Sequence, residues 1–190
     1  KKAPRIQSEE FFYGWTKARA EELVLSAASD QGLDAIILRP TALIGPPDEQ
    51  PSRFGRTIVD LYTGKLPMIS SGGYDLLDIR DFSQTVINSL EKAQKGEVFV
   101  TGGKFYSLKE LAEAVNPSRI PPVISIDLLL VLLPLIRLYQ KFVPSRWPIN
   151  RESLMAIKQG PSRVDSSKAV EQLNHQFRPL QESVRDLIGW

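Results

Sequence analysis

A short apolar run constrains this chain more than any other stretch. Asp34-Ala35-Ile36-Ile37-Leu38-Arg39 follows closely on Gly32 and is closed by Pro40. Its apolar residues are consecutive rather than alternating. A strand with one wet face alternates with a period of two. A short continuous run between a glycine and a proline fits a strand covered on both faces, as in a parallel sheet. The run therefore predicts an α/β chain, and its surroundings carry the matching alternation of strand and helix.

Ahead of it, Tyr13 to Ala28 reads as a helix, with Glu9 and Glu10 near its start and Gly32 as its stop. At about 100° per residue, Tyr13, Lys17, Ala20, Leu23, Val24, Ala27 and Ala28 share one side, predicted to face protein. A lysine on a buried stripe needs a partner, either a carboxylate or a ligand, because an unpaired buried charge is costly. Glu21, one turn on, is the obvious carboxylate.

After Pro40, Thr41 to Pro47 reads as a loop ending in Gly45-Pro46-Pro47. Open α/β sheets place ligands at the carboxyl ends of their strands. Pro51-Ser52 starts a second helix with Phe54, Ile58, Leu61 and Tyr62 on one face and Gly64 as its stop. Strands are predicted over Lys65–Ile69 and Tyr74–Ile79. Asp81 is placed to cap a helix with Phe82, Val86, Ile87 and Leu90 inward. Glu97 to Thr101 is a further strand. Ser107 and Glu110 form a capping box for a helix that stops before Pro117. The remainder is mostly helical: Ser125 to Phe142, Asn150 to Gln159, and short helices from about Ser166 and Leu180.

Composition removes several chemistries. The chain has no cysteine and a single histidine, so disulfides, thiolate nucleophiles and multi-histidine metal sites are excluded. A net charge of +2 without a basic run gives no case for nucleic acid. No apolar stretch follows Lys1-Lys2, so no leader is predicted and a cytoplasmic protein is expected. Ile124 to Ile136 is apolar but interrupted by Asp127 and Pro134, and a span needs roughly 20 such residues. It reads as a core helix kinked near Pro134, with a membrane-surface or substrate-facing lid as the alternative.

In order along the chain stand Tyr13-Gly14-Trp15-Thr16-Lys17, Gly32 to Pro46, Gly64-Lys65-Leu66-Pro67, Asp78-Ile79-Arg80-Asp81, Thr101-Gly102-Gly103, Asp165 to Ala169 and Phe177-Arg178-Pro179-Leu180. Together these resemble the second half of an extended short-chain dehydrogenase/reductase, in the NAD-dependent epimerase/dehydratase superfamily. The bacterial branch similar to dihydroflavonol 4-reductase is nearest, with 3β-hydroxysteroid dehydrogenases as neighbours. The resemblance implies the carboxyl-terminal half of a Rossmann-type, doubly wound parallel sheet plus a smaller, mostly helical substrate domain. Residues 1–117 would be the second half of the Rossmann-type domain with interleaved substrate-domain segments. Residues 118–190 would be the mostly helical substrate or lid region.

It also implies an oxidoreductase that moves hydride between a nicotinamide cofactor and a small-molecule carbonyl or alcohol. Tyr13 would exchange the proton. Lys17 would assist it and hold the nicotinamide ribose. The backbone of Pro40, Thr41, Ala42 and Leu43 would meet the nicotinamide end. The chemistry suits those residues: free tyrosine titrates near a pH of about 10, too high for a neutral-pH proton donor, and a nearby ammonium favours the phenolate. The cofactor is NAD or NADP, with NADP favoured by the resemblance. A nucleotide-sugar epimerase or dehydratase, and a non-catalytic binding protein derived from this fold, are the alternatives.

No strand–glycine–helix cradle for a pyrophosphate precedes Tyr13, and Ser8 lies too close to be the family's carbonyl-polarising serine. The amino-terminal half is expected in cis or as another chain, a homodimer is possible within the resemblance, and no transmembrane segment is predicted. On its own the chain is expected not to form a stable monomer. The remaining polar residues read as structural. Arg39 would serve a local carboxylate, and Asp78, Arg80 and Asp81 a cap and its ion pair. Arg53 and Arg56 would line a solvated face, with an anionic substrate as the alternative, and His175 would sit on the surface.

Overall fold

The computed structural model describes residues 12–49, 51–142, 151–159 and 164–190. The first described element is α1 (Phe12–Asp30). Gly32, at φ +77°, ends it; the N–H groups of Gln31 and Leu33 both reach the Ala27 carbonyl at 3.1 Å. This closure uses the left-handed conformation that glycine adopts without strain. Then follow β1 (Ile37–Pro40), β2 (Ala42–Ile44), α2 (Arg53–Tyr62), β3 (Ile69–Ser70), β4 (Gly73–Asp78), α3 (Ile79–Lys92) and β5 (Val98–Thr101). The chain continues through β6 (Lys104–Ser107), α4 (Leu108–Val115), β7 (Val123–Ile124), α5 (Ile126–Phe142), α6 (Arg151–Gln159), α7 (Ser167–Leu173) and α8 (Leu180–Gly189).

The fold is α/β, as the apolar run predicts. β1 pairs in parallel with β5, placing Pro40 opposite Thr101. β2 runs parallel to β4, and β6 lies antiparallel on the other edge of β4. β3 and β7 form a third, parallel pair. Thr41 to Pro47 is thus not simply a loop: its first half, Ala42–Ile44, is a strand, because its backbone finds a ladder in β4. β6, which sequence reading left between a strand and a helix, forms against β4 at a close approach. A side chain at Gly73 or Gly103 would overlap the facing backbone.

The main core joins Ile58 and Leu61 of α2, Leu76 of β4, Leu111 and Ala112 of α4, and Leu180 and Val184 of α8. A second core puts Ile126, Leu129 and Leu133 of α5 against Leu154 of α6. A third sets Phe99 against Ala169 and Leu173 of α7. Local capping matches the sequence at α4, where the Glu110 N–H donates to Ser107 Oγ at 3.1 Å and the Ser107 N–H to Glu110 Oε2 at 2.8 Å. Ser52 likewise caps α2 by accepting from the Gly55 N–H at 2.9 Å.

Four expectations are overturned. The α1 stripe is not buried: Tyr13 is 69% and Leu23 66% exposed, Lys17 and Ala20 are exposed, and Ala28 is the only fully buried residue of the helix. β1 is not covered on both faces, since Arg39 and Pro40 are exposed, and its edge away from β5 has no partner strand among the described residues. α3 turns Thr85 and Ser89 inward and leaves Val86, Ile87 and Leu90 outward, Leu90 being 79% exposed. Its cap is Asp78, three residues before Asp81. The first three have one cause: spacing groups residues on a face, but another element must cover that face, and none does so among the described residues.

Candidate active site

Tyr13 and Lys17 occupy the first two turns of α1, with Lys17 Nζ 5.7 Å from the Tyr13 ring centroid. The neighbouring Thr16 hydroxyl donates to the Tyr13 carbonyl at 2.8 Å. Lys17 has no ion-pair partner among the described residues. Glu21 is taken instead by Arg39, whose Nε–H donates to Glu21 Oε2 at 2.7 Å while its Nη2 reaches Oε1. Arg39 thus serves a local carboxylate, as its place in the sequence suggests, and Glu21 is not the partner of Lys17.

The same ion pair ties α1 to β1: residue 21 of the helix meets residue 39 of the strand across the turn at Gly32.

At the carboxyl end of β1 the Thr41 N–H donates to the Thr101 carbonyl at 3.3 Å, joining the ends of β1 and β5. The hydroxyls of Thr41 and Thr101 are both buried with no hydrogen-bond partner among the described residues. A buried polar group left unpaired costs about 1–3 kcal/mol, so two neighbouring orphans mark a place where a polar partner belongs. β2 is an edge strand: beyond Ala42 to Ile44 no strand pairs its second side among the described residues. Leu43 also lines a concavity of about 170 Å³ with Gly45, Pro47, Ser52 and Phe54. Pro40, Thr41, Ala42 and Leu43 thus combine an open backbone edge with an unpaired hydroxyl.

The turn after β5 is held by a residue that sequence reading placed on the surface. His175 is 2% exposed. Its Nε2–H donates to the Gly102 carbonyl at 2.7 Å, and its Nδ1 lies 2.8 Å from Thr85 Oγ1. Ser166 Oγ accepts from the Gly102 N–H and Asp75 Oδ1 from the Gly103 N–H, each at 2.7 Å. Between Asn174 and Gln176 nothing flags the histidine as internal. The signal is Asn174 itself, a residue tolerant of positive φ, which caps α7 at φ 52° and turns the chain inward.

The other charged cluster is structural. Buried Asp78 accepts from the Arg80 backbone N–H at 2.9 Å and from its Nε and Nη2 at 2.9 and 2.8 Å. Arg178 Nη2 donates to Asp81 Oδ1 at 2.7 Å, and Arg80 Nη1 to Asp186 at 2.8 Å. Burial pushes the Asp78 carboxyl up, but hydrogen bonds from Arg80 and Ser183 and the Arg178 charge outweigh it and hold it below the ordinary carboxylate value. Arg56 donates to the Pro51 carbonyl at 3.0 Å, a backbone partner rather than an anion site. Ser8, Glu9 and Glu10 lie outside the described residues.

Parallel strand pairs with flanking helices define a Rossmann-type α/β protein. The chain belongs to the NAD dependent epimerase/dehydratase family, whose model matches residues 5–102. It is 30% identical over 94% of its length to sterol demethylase protein B of Methylococcus capsulatus, covering 56% of that protein. It is 24% identical to a putative dihydroflavonol 4-reductase of Synechocystis, over 94% of this chain and 54% of that one. The crystal structure of gox2253 superposes with a TM-score of 0.79 at 26% identity, over 96% of this chain and 57% of the other. The chain thus spans about half the length of the curated relatives it matches.

Proposed function

We propose that the complete protein is an NAD(P)-dependent oxidoreductase of the extended short-chain type, reducing a carbonyl or oxidising an alcohol. The observation that carries this reading is the state of Lys17. It stands one turn from Tyr13, exposed; Arg39 takes Glu21, and no other described residue forms an ion pair with Lys17. Its ammonium is available to the phenol and to a ligand hydroxyl. Tyr13 gives a proton to the substrate's carbonyl oxygen, or takes one from an alcohol. Lys17 holds the ribose, and Pro40 to Leu43 offer their backbone to the carboxamide end. The unpaired Thr41 and Thr101 hydroxyls fit a polar group at that place. The bound nicotinamide, NADP in preference to NAD, supplies or accepts the hydride. The pyrophosphate cradle comes from an amino-terminal half in cis or from another chain, for which the unpaired edge of β1 and the outward Phe12 and Leu23 are suitable surfaces.

A nucleotide-sugar epimerase or dehydratase is the second reading, because the family takes its name from those reactions. Such a substrate needs cations for its diphosphate, and Arg56 is engaged with local backbone. The test is Tyr13→Phe in the full-length protein. Carbonyl reduction should fall by about 10²-fold or more while nicotinamide fluorescence titration shows unchanged cofactor binding. Retained turnover removes the proton-exchange role. A wild-type protein that shows no saturable nicotinamide binding supports the non-catalytic alternative.

A further inference from the structure

Two consecutive peptide planes close β5, and side chains from three parts of the chain hold them. The first plane carries the Thr101 carbonyl and the Gly102 N–H. Its N–H donates to Ser166 Oγ, just ahead of α7, at 2.7 Å, and its carbonyl accepts from the Thr41 N–H at 3.3 Å. The second plane carries the Gly102 carbonyl and the Gly103 N–H. Its carbonyl accepts from His175 Nε2–H, and its N–H donates to Asp75 Oδ1 of β4, each at 2.7 Å. A peptide unit is planar, so a bond at one end directs the group at the other.

The contact with Thr41 depends on that direction. β1 bonds to β5 through the Ile37 N–H and the Glu97 carbonyl at 2.9 Å, an ordinary length, but through Thr41 and Thr101 at 3.3 Å, beyond the usual range. So long a bond holds its partners loosely unless the carbonyl is fixed from behind. We propose that His175 and Ser166 are positioning residues for the nicotinamide end of the site. By clamping the two peptide planes they set the Thr101 carbonyl, and through it the Thr41 backbone that meets the cofactor. The assignment rests on the hydride-transfer reading, which gives that backbone to the cofactor.

Both residues are spent on this turn. Ser166 stands at the N-cap position of α7, where a serine ordinarily accepts from the helix's own N–H groups, yet its side chain makes no such bond and takes the Gly102 N–H instead. His175 is held at both ends. A carbonyl only accepts, so Nε2 carries a proton, while Nδ1 lies 2.8 Å from Thr85 Oγ1 of α3. Its own N–H donates to the Ala169 carbonyl at 3.1 Å, and Asn88 Nδ2 donates to the Leu173 carbonyl at 2.8 Å. Attachment of α7 has another source, for Ala169 and Leu173 already pack on Phe99 of β5. The polar clamp adds direction to that packing.

The test uses the full-length protein. His175→Leu takes the donor from the Gly102 carbonyl, and nicotinamide fluorescence titration should show Kd raised about tenfold, with kcat at saturating cofactor within about twofold of wild type. His175→Gln, whose amide can donate to the same carbonyl, should recover most of the affinity. Without cofactor, hydrogen exchange at the Thr41 amide should quicken about tenfold in His175→Leu while the Ala112 and Val115 amides of α4 keep their rates. If His175→Leu does not fold, Ser166→Ala, at a half-buried position, should show the same changes in Kd and in Thr41 exchange. The proposal is overturned if the variants melt lower but bind cofactor like the wild type, as a clamp serving α7 alone would do, or if the Thr41 amide is unaffected. A wild type without saturable nicotinamide binding removes the hydride-transfer reading and this proposal together. Wild-type binding that both variants match removes this proposal alone.

Discussion

The two charged clusters of this molecule make opposite use of the same chemistry. Around Asp78, two guanidiniums and a backbone N–H surround one buried carboxylate, and β4 and α8, which they help to join, contribute Leu76, Leu180 and Val184 to the main core. Around Glu21, one arginine meets one carboxylate on β1, whose edge away from β5 has no partner strand among the described residues, and Lys17 one turn away has no ion-pair partner among them. The first arrangement spends its charges on holding α3 to α8. The second ties α1 to β1 and leaves Lys17 beside the Tyr13 ring with no ion-pair partner among the described residues. One cluster is matched charge for charge; the other, among the described residues, is not.

The largest effect that sharpens this contrast is kinetic: Tyr13→Phe should cost about 10²-fold or more in turnover and leave the unfolding midpoint in urea where it was. The reverse is expected of Asp78→Ala, which leaves Arg80 and Arg178 without their buried partner. It should lower stability by about 3–5 kcal/mol in denaturant titration. An Asp78→Ala protein as stable as wild type would break the comparison. Acid should act on the same cluster. Hydrogen bonds from Arg80 and Ser183, with the Arg178 charge, overcome the upward push of burial and leave the Asp78 carboxyl below its ordinary value; Ser107 depresses Glu110. Both groups release their protons more readily folded than unfolded. Their stabilisation is therefore complete above the unfolded value of about 4 and is lost as pH falls through the lower folded value. Thermal melts should be flat above about pH 5 and drop steeply below pH 4, a drop that Asp78→Ala should blunt. The smallest effect belongs to Glu21→Gln. An exposed pair contributes less than about 1 kcal/mol, so its loss should scarcely move the melt. It should, however, raise the KM for cofactor if the Glu21–Arg39 pair sets the position of Lys17.

The sequence made half of the candidate site legible. Tyr13 and Lys17 are related by helical spacing alone, and the end of β1 follows from Pro40. It could not reveal that Glu21 belongs to Arg39, because that partner comes from 18 residues away on another element. Nor could it reveal the orphaned hydroxyls, since Thr41 and Thr101 are ordinary strand-end threonines until β1 and β5 bring them together. His175 was missed for the same reason: its two hydrogen-bond partners lie 90 and 73 residues back in the chain.

By itself the sequence determined what short-range physics decides. Gly32 and Gly64 stop helices because they take positive φ, Ser52 and the Ser107–Glu110 box start them, and the run before Pro40 is a strand. Tertiary structure alone decided which faces are covered. The outward stripe of α1, the outward Val86, Ile87 and Leu90 of α3, and the outward Leu128, Val131 and Leu135 of α5 all obey helical periodicity, and each lies open among the described residues. Periodicity is a property of one element, whereas burial belongs to a pair, and the second member of the pair is written elsewhere.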